Sequence, residues 1–122
     1  MKAIQQIIED LSHQEGFGTV VLTNVSGLPL ATSENRQEAE ALAAVVADML
    51  RSAAGISSRL GWGAMNEIML LSNDAQRGVL CRRFQAGEQE LVLALFIRPQ
   101  HVYWQATAQA IQKIKQAWSF SG

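Results

Sequence analysis

The side chains that could carry covalent or metal chemistry are few in this sequence and lie far apart. There is one cysteine, Cys81, and there are two histidines, His13 and His101. A cysteine nucleophile needs a neighbouring base, and a zinc site needs several Cys or His ligands at short spacing. Neither arrangement occurs here. Cys81 lies within a strand pattern, which predicts a buried structural thiol, and the two histidines are expected at helix ends.

The glycines and serines offer no nucleotide or nucleophile site either. Gly16 and Gly18 precede a predicted strand, whereas a phosphate-binding loop joins a strand to a following helix. The serines fall in predicted turns and helix ends, where local hydrogen bonds explain a hydroxyl group. We therefore expect no catalytic residues, no cofactor and no metal site in this chain, and a binding function rather than an enzyme.

Arginine side chains are the groups best suited to a phosphate or to a partner's acidic surface. Lys and Arg number 10 against 11 Asp and Glu, for a net charge of -1, so no basic patch for nucleic acid is predicted. A solvated protein face is the other explanation of these charges, and the sequence leaves both open. The possible partner contacts are Asp48, Arg51, Arg59, Arg82 and Arg83.

The length of 122 residues suits one domain, residues 1–122, with a real core. The longest apolar runs are shorter than the ~20 residues of a membrane span. The N-terminal segment carries acids and glutamines where a signal peptide would be continuously apolar. We expect a cytoplasmic protein without membrane insertion.

The longest predicted element is a helix from Gln37 to about Leu60. Asn35 and Glu38 have the spacing of a capping box, which marks a helix start, and Gly55 is a position where the helix could bend. The apolar side chains span about twice the roughly 100° arc that a surface helix needs. They form two adjacent stripes, Leu42, Val45, Met49, Ala53, Ile56 and Leu60 in the first, and Ala39, Ala43, Val46, Leu50 and Ala54 in the second.

A helix that is apolar over so wide an arc should be covered on two sides. In so short a chain, we expect the second stripe to contact another subunit, because its small residues let a partner helix come close. The alternative is a helix enclosed by its own core, or one that is merely rich in alanine, the best helix former.

Shorter elements flank this helix. An amphipathic helix is predicted over residues 3–13, and Pro29 marks the second strand of a hairpin as a sheet edge because it lacks an N–H group. Leu91–Ile97 is apolar without alternation, which is typical of a central strand covered on both faces; such a strand requires layers above and below the sheet. The remaining predicted elements are strands 19–24, Leu28–Thr32, Glu67–Ser72, Val79–Gln85 and Glu90–Arg98, and a last helix over 101–118.

Two segments are especially distinctive: the hairpin Gly18-Thr-Val-Val-Leu-Thr-Asn-Val-Ser-Gly-Leu-Pro-Leu-Ala-Thr32, with Gly-Leu-Pro after its turn, and the Ala-rich helix Glu38–Ala54. The strands Asn66–Ser72 and Leu91–Ile97 fit the same pattern. Together they resemble the roadblock family, the small domains related to dynein roadblock light chains and to bacterial regulators of Ras-like GTPases. The resemblance covers residues 1 to about 118.

The resemblance implies an α/β (α+β) fold, a three-layer sandwich with a five-stranded antiparallel sheet in the order 2-1-5-4-3. The long second helix would cover one face, and the N- and C-terminal helices the other. It also implies a homodimer, or a dimer with a paralogue, in which the long helices pack together and the third strands pair. On this chain those strand residues are Glu67, Ile68, Met69, Leu70 and Leu71.

Members of the family bind small Ras-like GTPases as activators of hydrolysis or as scaffolds, or act as adaptors. Activation is generally attributed to holding the GTPase's own residues in position. Our leading hypothesis is such a dimeric GTPase regulator or scaffold. The alternative is a structural adaptor that docks onto a larger complex without affecting nucleotide hydrolysis. A small-molecule sensor or enzyme would need a pocket with converging polar groups, of which the sequence gives little sign.

Overall fold

The predicted elements all occur, in the predicted order, and their ends differ from the predicted ones by a few residues. The computed structural model describes residues 1–99 and 101–121. His101 lies ahead of the last helix instead of opening it. The elements are α1 (Lys2–Ser12), β1 (Phe17–Asn24), β2 (Pro29–Thr32), α2 (Arg36–Leu60), β3 (Glu67–Leu71), β4 (Gly78–Ala86), β5 (Gln89–Ile97) and α3 (Trp104–Ser121).

The five strands form one antiparallel sheet in the order β2-β1-β5-β4-β3. This is the order that the resemblance implied. β5 lies at the centre, and its residues from Leu91 to Leu95 are buried, as its continuous apolar pattern predicted. Pro29 begins the edge strand β2. Its missing N–H group is tolerated there, because an edge strand pairs with a neighbour on one side only.

Helices cover the two faces of the sheet differently. On one face, α1 and α3 pack together through Ile4, Ile8, Leu11 and Ile114 and enclose the larger core. On the other face α2 lies alone, and Leu42, Val46 and Met49 form a smaller core with Val21, Cys81, Val92 and Ala94. The predicted three-layer arrangement is confirmed.

Local hydrogen bonds fix both ends of α2. At its start, the Glu38 backbone N–H donates to Asn35 Oδ1 at 3.1 Å, so the predicted cap is present. At its end, Gly61 adopts φ +68° and the Trp62 N–H donates to the Ser57 carbonyl at 3.0 Å, a left-handed termination that glycine permits. The helix continues through Gly55 without interruption.

The surface of α2 is more apolar than its packing on the sheet requires. Among the described residues, α2 is a helix long and apolar enough, by length and composition, to cross a membrane. Only 33% of its most apolar window is buried within the chain. The rest of this window is at least partly exposed on the surface of the chain.

Candidate functional site

Helix α2 covers part of its face of the sheet and leaves the β3 side open. It packs on β1, β2 and β5. At the β2 side it lies so close to the hairpin turn that a Cβ atom added at Gly27 would be 2.6 Å from the Ala47 Cβ. On its opposite side, the Met49 sulfur lies 3.8 Å from the Cys81 sulfur of β4. The outermost strand, β3, extends beyond this contact.

Three apolar side chains of α2 lie on the Met49 side of the helix and are exposed. Val45 precedes Met49 by four residues, Ile56 follows it by seven, and Leu60 follows Ile56 by four, spacings that keep all four on one side. Val45 is 41% exposed, Ile56 49% and Leu60 52%.

The sheet surface next to these side chains is also apolar and incompletely covered. Ile68 of β3 and Val79 of β4 pack against the α2 core and are only partly buried, and Leu70 of β3 is 50% exposed. Contiguous exposed apolar surface is characteristic of protein-binding sites. We call this surface the open apolar face, and it consists of Val45, Ile56, Leu60, Ile68, Leu70 and Val79.

The expected helix contact with a partner must be corrected. Ala39, Ala43 and Val46 were expected to face another subunit, but they are buried against the chain's own sheet, so they have no surface to offer. Leu50 is partly buried and Ala54 is exposed. The two predicted stripes are adjacent on the helix, and the sheet covers the boundary between them rather than the whole first stripe.

The five predicted strand residues of the interface lie on an open edge. β3 pairs with β4 on one side and ends the sheet on the other. Glu67, Leu70 and Leu71 are exposed, whereas Ile68 and Met69 are partly buried. An unpaired strand of this kind is a template for another strand. Pairing with a second chain stays a prediction.

Two of the five predicted charged contacts are occupied within the chain. Arg82 stacks over the Trp104 ring at 3.9 Å from its centroid, donates to Thr107 Oγ1 at 2.9 Å, and lies 3.7 Å from the Glu67 carboxylate. Arg83 pairs with Glu90. Both arginines are only partly exposed, so less of each side chain is available to a partner than the sequence suggested, and their role as partner contacts stays a prediction. The Arg82–Trp104 contact could not be predicted from sequence patterns, because the two residues are 22 positions apart in the chain.

The other three charged residues remain on the outer side of α2. Asp48 and Arg51 form an exposed ion pair of 2.9 Å, and Arg59 is exposed in the last turn of the helix. Exposed pairs of this type contribute little to stability. Because Asp48, Arg51 and Arg59 are all exposed, they are accessible to a partner.

The described residues show no converging catalytic groups. Cys81 is 2% exposed, and burial raises the pKa of its thiol to about 12, so it is an inert structural thiol, as predicted. Within residues 1–99 and 101–121, no three His, Cys, Asp or Glu side chains are grouped as metal ligands. A cleft of about 890 Å³ beside the α1–β1 loop is open and lined by charges of both signs, Glu38, Arg77 and Arg98 among them.

The fold is similar to that of several solved structures. Myxococcus xanthus MglB is 12% identical with a TM-score of 0.76, over 97% of this chain and 89% of that chain. The gliding protein MglB from Thermus thermophilus is 17% identical with a TM-score of 0.73, over 94% of this chain and 87% of that chain. A Roadblock/LC7 domain from Streptomyces avermitilis is 13% identical with a TM-score of 0.75, over 95% of each chain.

At the level of sequence alone, no protein-family model and no curated protein matches the chain. The structural likeness nevertheless extends over most of the length of both compared chains in each case. It agrees with the strand order and with the placement of the three helices. The chain therefore has the roadblock fold, as its sequence predicted.

Proposed function

We propose that two copies of this chain form a dimer that binds a small Ras-like GTPase in the cytoplasm and regulates or scaffolds it. The observation that carries this proposal is the open apolar face lying next to the unpaired edge of β3. The resemblance of the sequence to roadblock proteins and the shared fold support the class of partner.

The open apolar face accounts for the dimer in physical terms. Its three α2 side chains, Val45, Ile56 and Leu60, are about half exposed, and covering them with a second copy would remove apolar surface from water. A two-fold axis beside β3 would place the second α2 over this face. One similar structure is described as MglB with a tetrameric arrangement, which supports self-association of the fold.

The outer side of α2 is the proposed GTPase contact. Asp48, Arg51 and Arg59 are exposed there and would remain exposed after two open apolar faces had met. The chain has no grouped catalytic side chains among its described residues. We therefore propose that any stimulation of hydrolysis comes from positioning the GTPase's own residues.

The test combines the solution mass with partner capture. Light scattering over a range of concentrations should give twice the mass of the single chain. Purified dimer should then retain a small GTPase of the same genome and prefer either the GDP-bound or the GTP-bound form of that GTPase. The rate of GTP hydrolysis by the GTPase is then measured with and without the dimer. Blank capture and unchanged hydrolysis for every such GTPase would refute the proposal. Capture that is indifferent to the nucleotide would favour the structural adaptor instead.

A further inference from the structure

The hydrogen-bond pattern of β3 determines which of its backbone groups face the open edge. The Arg83 N–H donates to the Asn66 carbonyl at 2.7 Å, and the Ser72 N–H donates to the Arg77 carbonyl at 2.9 Å. Both bonds follow the same register as the β3–β4 ladder. In an antiparallel ladder, hydrogen-bonded and non-hydrogen-bonded pairs alternate. Residues 66, 68, 70 and 72 therefore bond to β4, and residues 67, 69 and 71 direct their N–H and C=O groups outward.

This alternation restricts how β3 can pair with a second copy of itself. A two-fold axis perpendicular to the sheet makes the two β3 strands antiparallel and keeps both α2 helices on the same face. Residue i of one copy then lies opposite residue j of the other, with a constant sum of i and j. An outward-facing residue can bond only to an outward-facing residue of the other copy, and in β3 these residues all have odd numbers. The sum of i and j is therefore even, which places the axis beside a residue and not between two residues.

We infer that β3 pairs with the β3 of a second copy in one register, with Met69 opposite the partner's Met69; this inference rests on the proposed dimer. In that register the three outward-facing residues, Glu67, Met69 and Leu71, all have partners. Each such pair exchanges two hydrogen bonds, so three pairs form six. Centring the axis on Ile68 or Leu70 leaves only two such pairs within the strand, and so four bonds.

The side chains on the α2 face favour the same register. Ile68 and Leu70 point to this face, since Ile68 packs in the α2 core and alternate residues share a face. With Met69 at the axis, Ile68 lies opposite the partner's Leu70. These are non-hydrogen-bonded pairs, in which the side chains approach most closely. The strand pairing is thereby continuous with the open apolar face.

On the opposite face, the register places a charge beside an apolar residue of the partner. Glu67 lies opposite the partner's Leu71, next to the row in which Arg82 stacks on Trp104. The Arg82 guanidinium is 3.7 Å from the Glu67 carboxylate, so Glu67 has an ion-pair partner within its own chain. Leu71 is 53% exposed in one copy and would be covered there by the second.

Paired cysteines test the register in the whole protein. We would prepare Ile68→Cys and Leu70→Cys as separate chains, and oxidise each alone and the two mixed after exchange of subunits. The Cα atoms of a non-hydrogen-bonded pair are about 4.5 Å apart, within the range for a disulfide. We expect efficient cross-linking of the mixture and little in either chain alone. The unsubstituted chain is the control, since Cys81 is buried.

The outcomes separate the register from the dimer itself. Efficient cross-linking of Leu70→Cys alone, or of Ile68→Cys alone, would overturn the register while leaving the proposed dimer intact. A dimeric mass with no cross-linking in any sample would show that β3 does not pair. A monomeric mass for the unsubstituted chain would remove the proposed dimer and the register together.

A measurement on the unsubstituted chain gives an independent answer. The outward-facing amides of Glu67, Met69 and Leu71 should exchange slowly with solvent in the dimer and lose this protection together on dilution. Rapid exchange of Glu67 with protection of Met69 and Leu71 would indicate an axis at Leu70, contrary to the inference.

Discussion

Replacing Ile56 with glutamate should separate the two copies without unfolding either of them. Ile56 is 49% exposed in the single chain, so the glutamate carboxylate can remain in water while α2 stays packed on the sheet. In the proposed dimer the same carboxylate would lie within the open apolar face. Burying an unpaired charge is costly, so the dimer and not the monomer should be destabilised.

The magnitude follows from the exposed part of the isoleucine. Full burial of such a side chain contributes about 1.5–3 kcal/mol, so its exposed half contributes about 1 kcal/mol. Both copies carry the change, which makes about 2 kcal/mol, or roughly thirtyfold in Kd at 1.4 kcal/mol per factor of ten. The buried charges add to this. We expect Ile56→Glu to raise the dimer Kd at least ~100-fold.

Sedimentation equilibrium over a concentration series measures the Kd, and circular dichroism confirms that each variant is folded. Val102→Glu is the matched control, because Val102 is 83% exposed and lies outside the open apolar face, so its Kd should not change. A folded Ile56→Glu variant with the Kd of the unsubstituted chain would refute the placement of Ile56 in the interface.

The remaining predictions concern the single chain. Val46→Glu puts a charge into a side-chain position that is 0% exposed, and thermal melting should show loss of the folded state, whereas retained folding would contradict the assigned packing. Gly27→Ala strains a φ of +86° and crowds Ala47, so it should lower the free energy of unfolding by ~1 kcal/mol or more. Gly55→Ala has open space around it and should raise the free energy of unfolding by up to ~1 kcal/mol. Equal changes in the free energy of unfolding for the two variants would refute this difference. The Cys81 thiol should resist thiol reagents at pH 8 until the chain unfolds. Because folding raises its pKa from 9.0 to about 12, stability in a pH-dependent melt should fall as pH rises above 9, and a flat profile would contradict the burial.

The sequence predicted those features that local physics determines. The cap of α2 needs only Asn35 and Glu38 at the right spacing, and β5 is recognised as central because Leu91–Ile97 has no polar alternation. The roadblock-like order of elements then implied the sheet order. The first two predictions depend on residues close together in the chain and the third on the resemblance of nearly the whole sequence to a family, and the structure confirms all three.

The orientation of α2 could not be predicted in the same way. Its two apolar stripes are adjacent on the helix, so periodicity reveals a wide apolar arc without telling which part of that arc the sheet covers. The close approach of Gly27 to Ala47 and the contact of Met49 with Cys81 turn Ala39, Ala43 and Val46 inward. Such contacts join residues 20 to 32 positions apart, and no local pattern encodes them.

These contacts also determine which residues each of the three sides of α2 presents. The side through Ala39, Val46 and Ala53 holds the sheet, and glycine at position 27 lets the hairpin turn come close enough to fix the rotation of the helix. That rotation exposes Val45 and Ile56 toward β3 and leaves Asp48 and Arg51 on the far side. A rotation by one residue, about 100°, would bury the open apolar face or the charged side. In the proposed assembly, the packing of the single chain therefore decides which residues are available to the second copy and which to the GTPase.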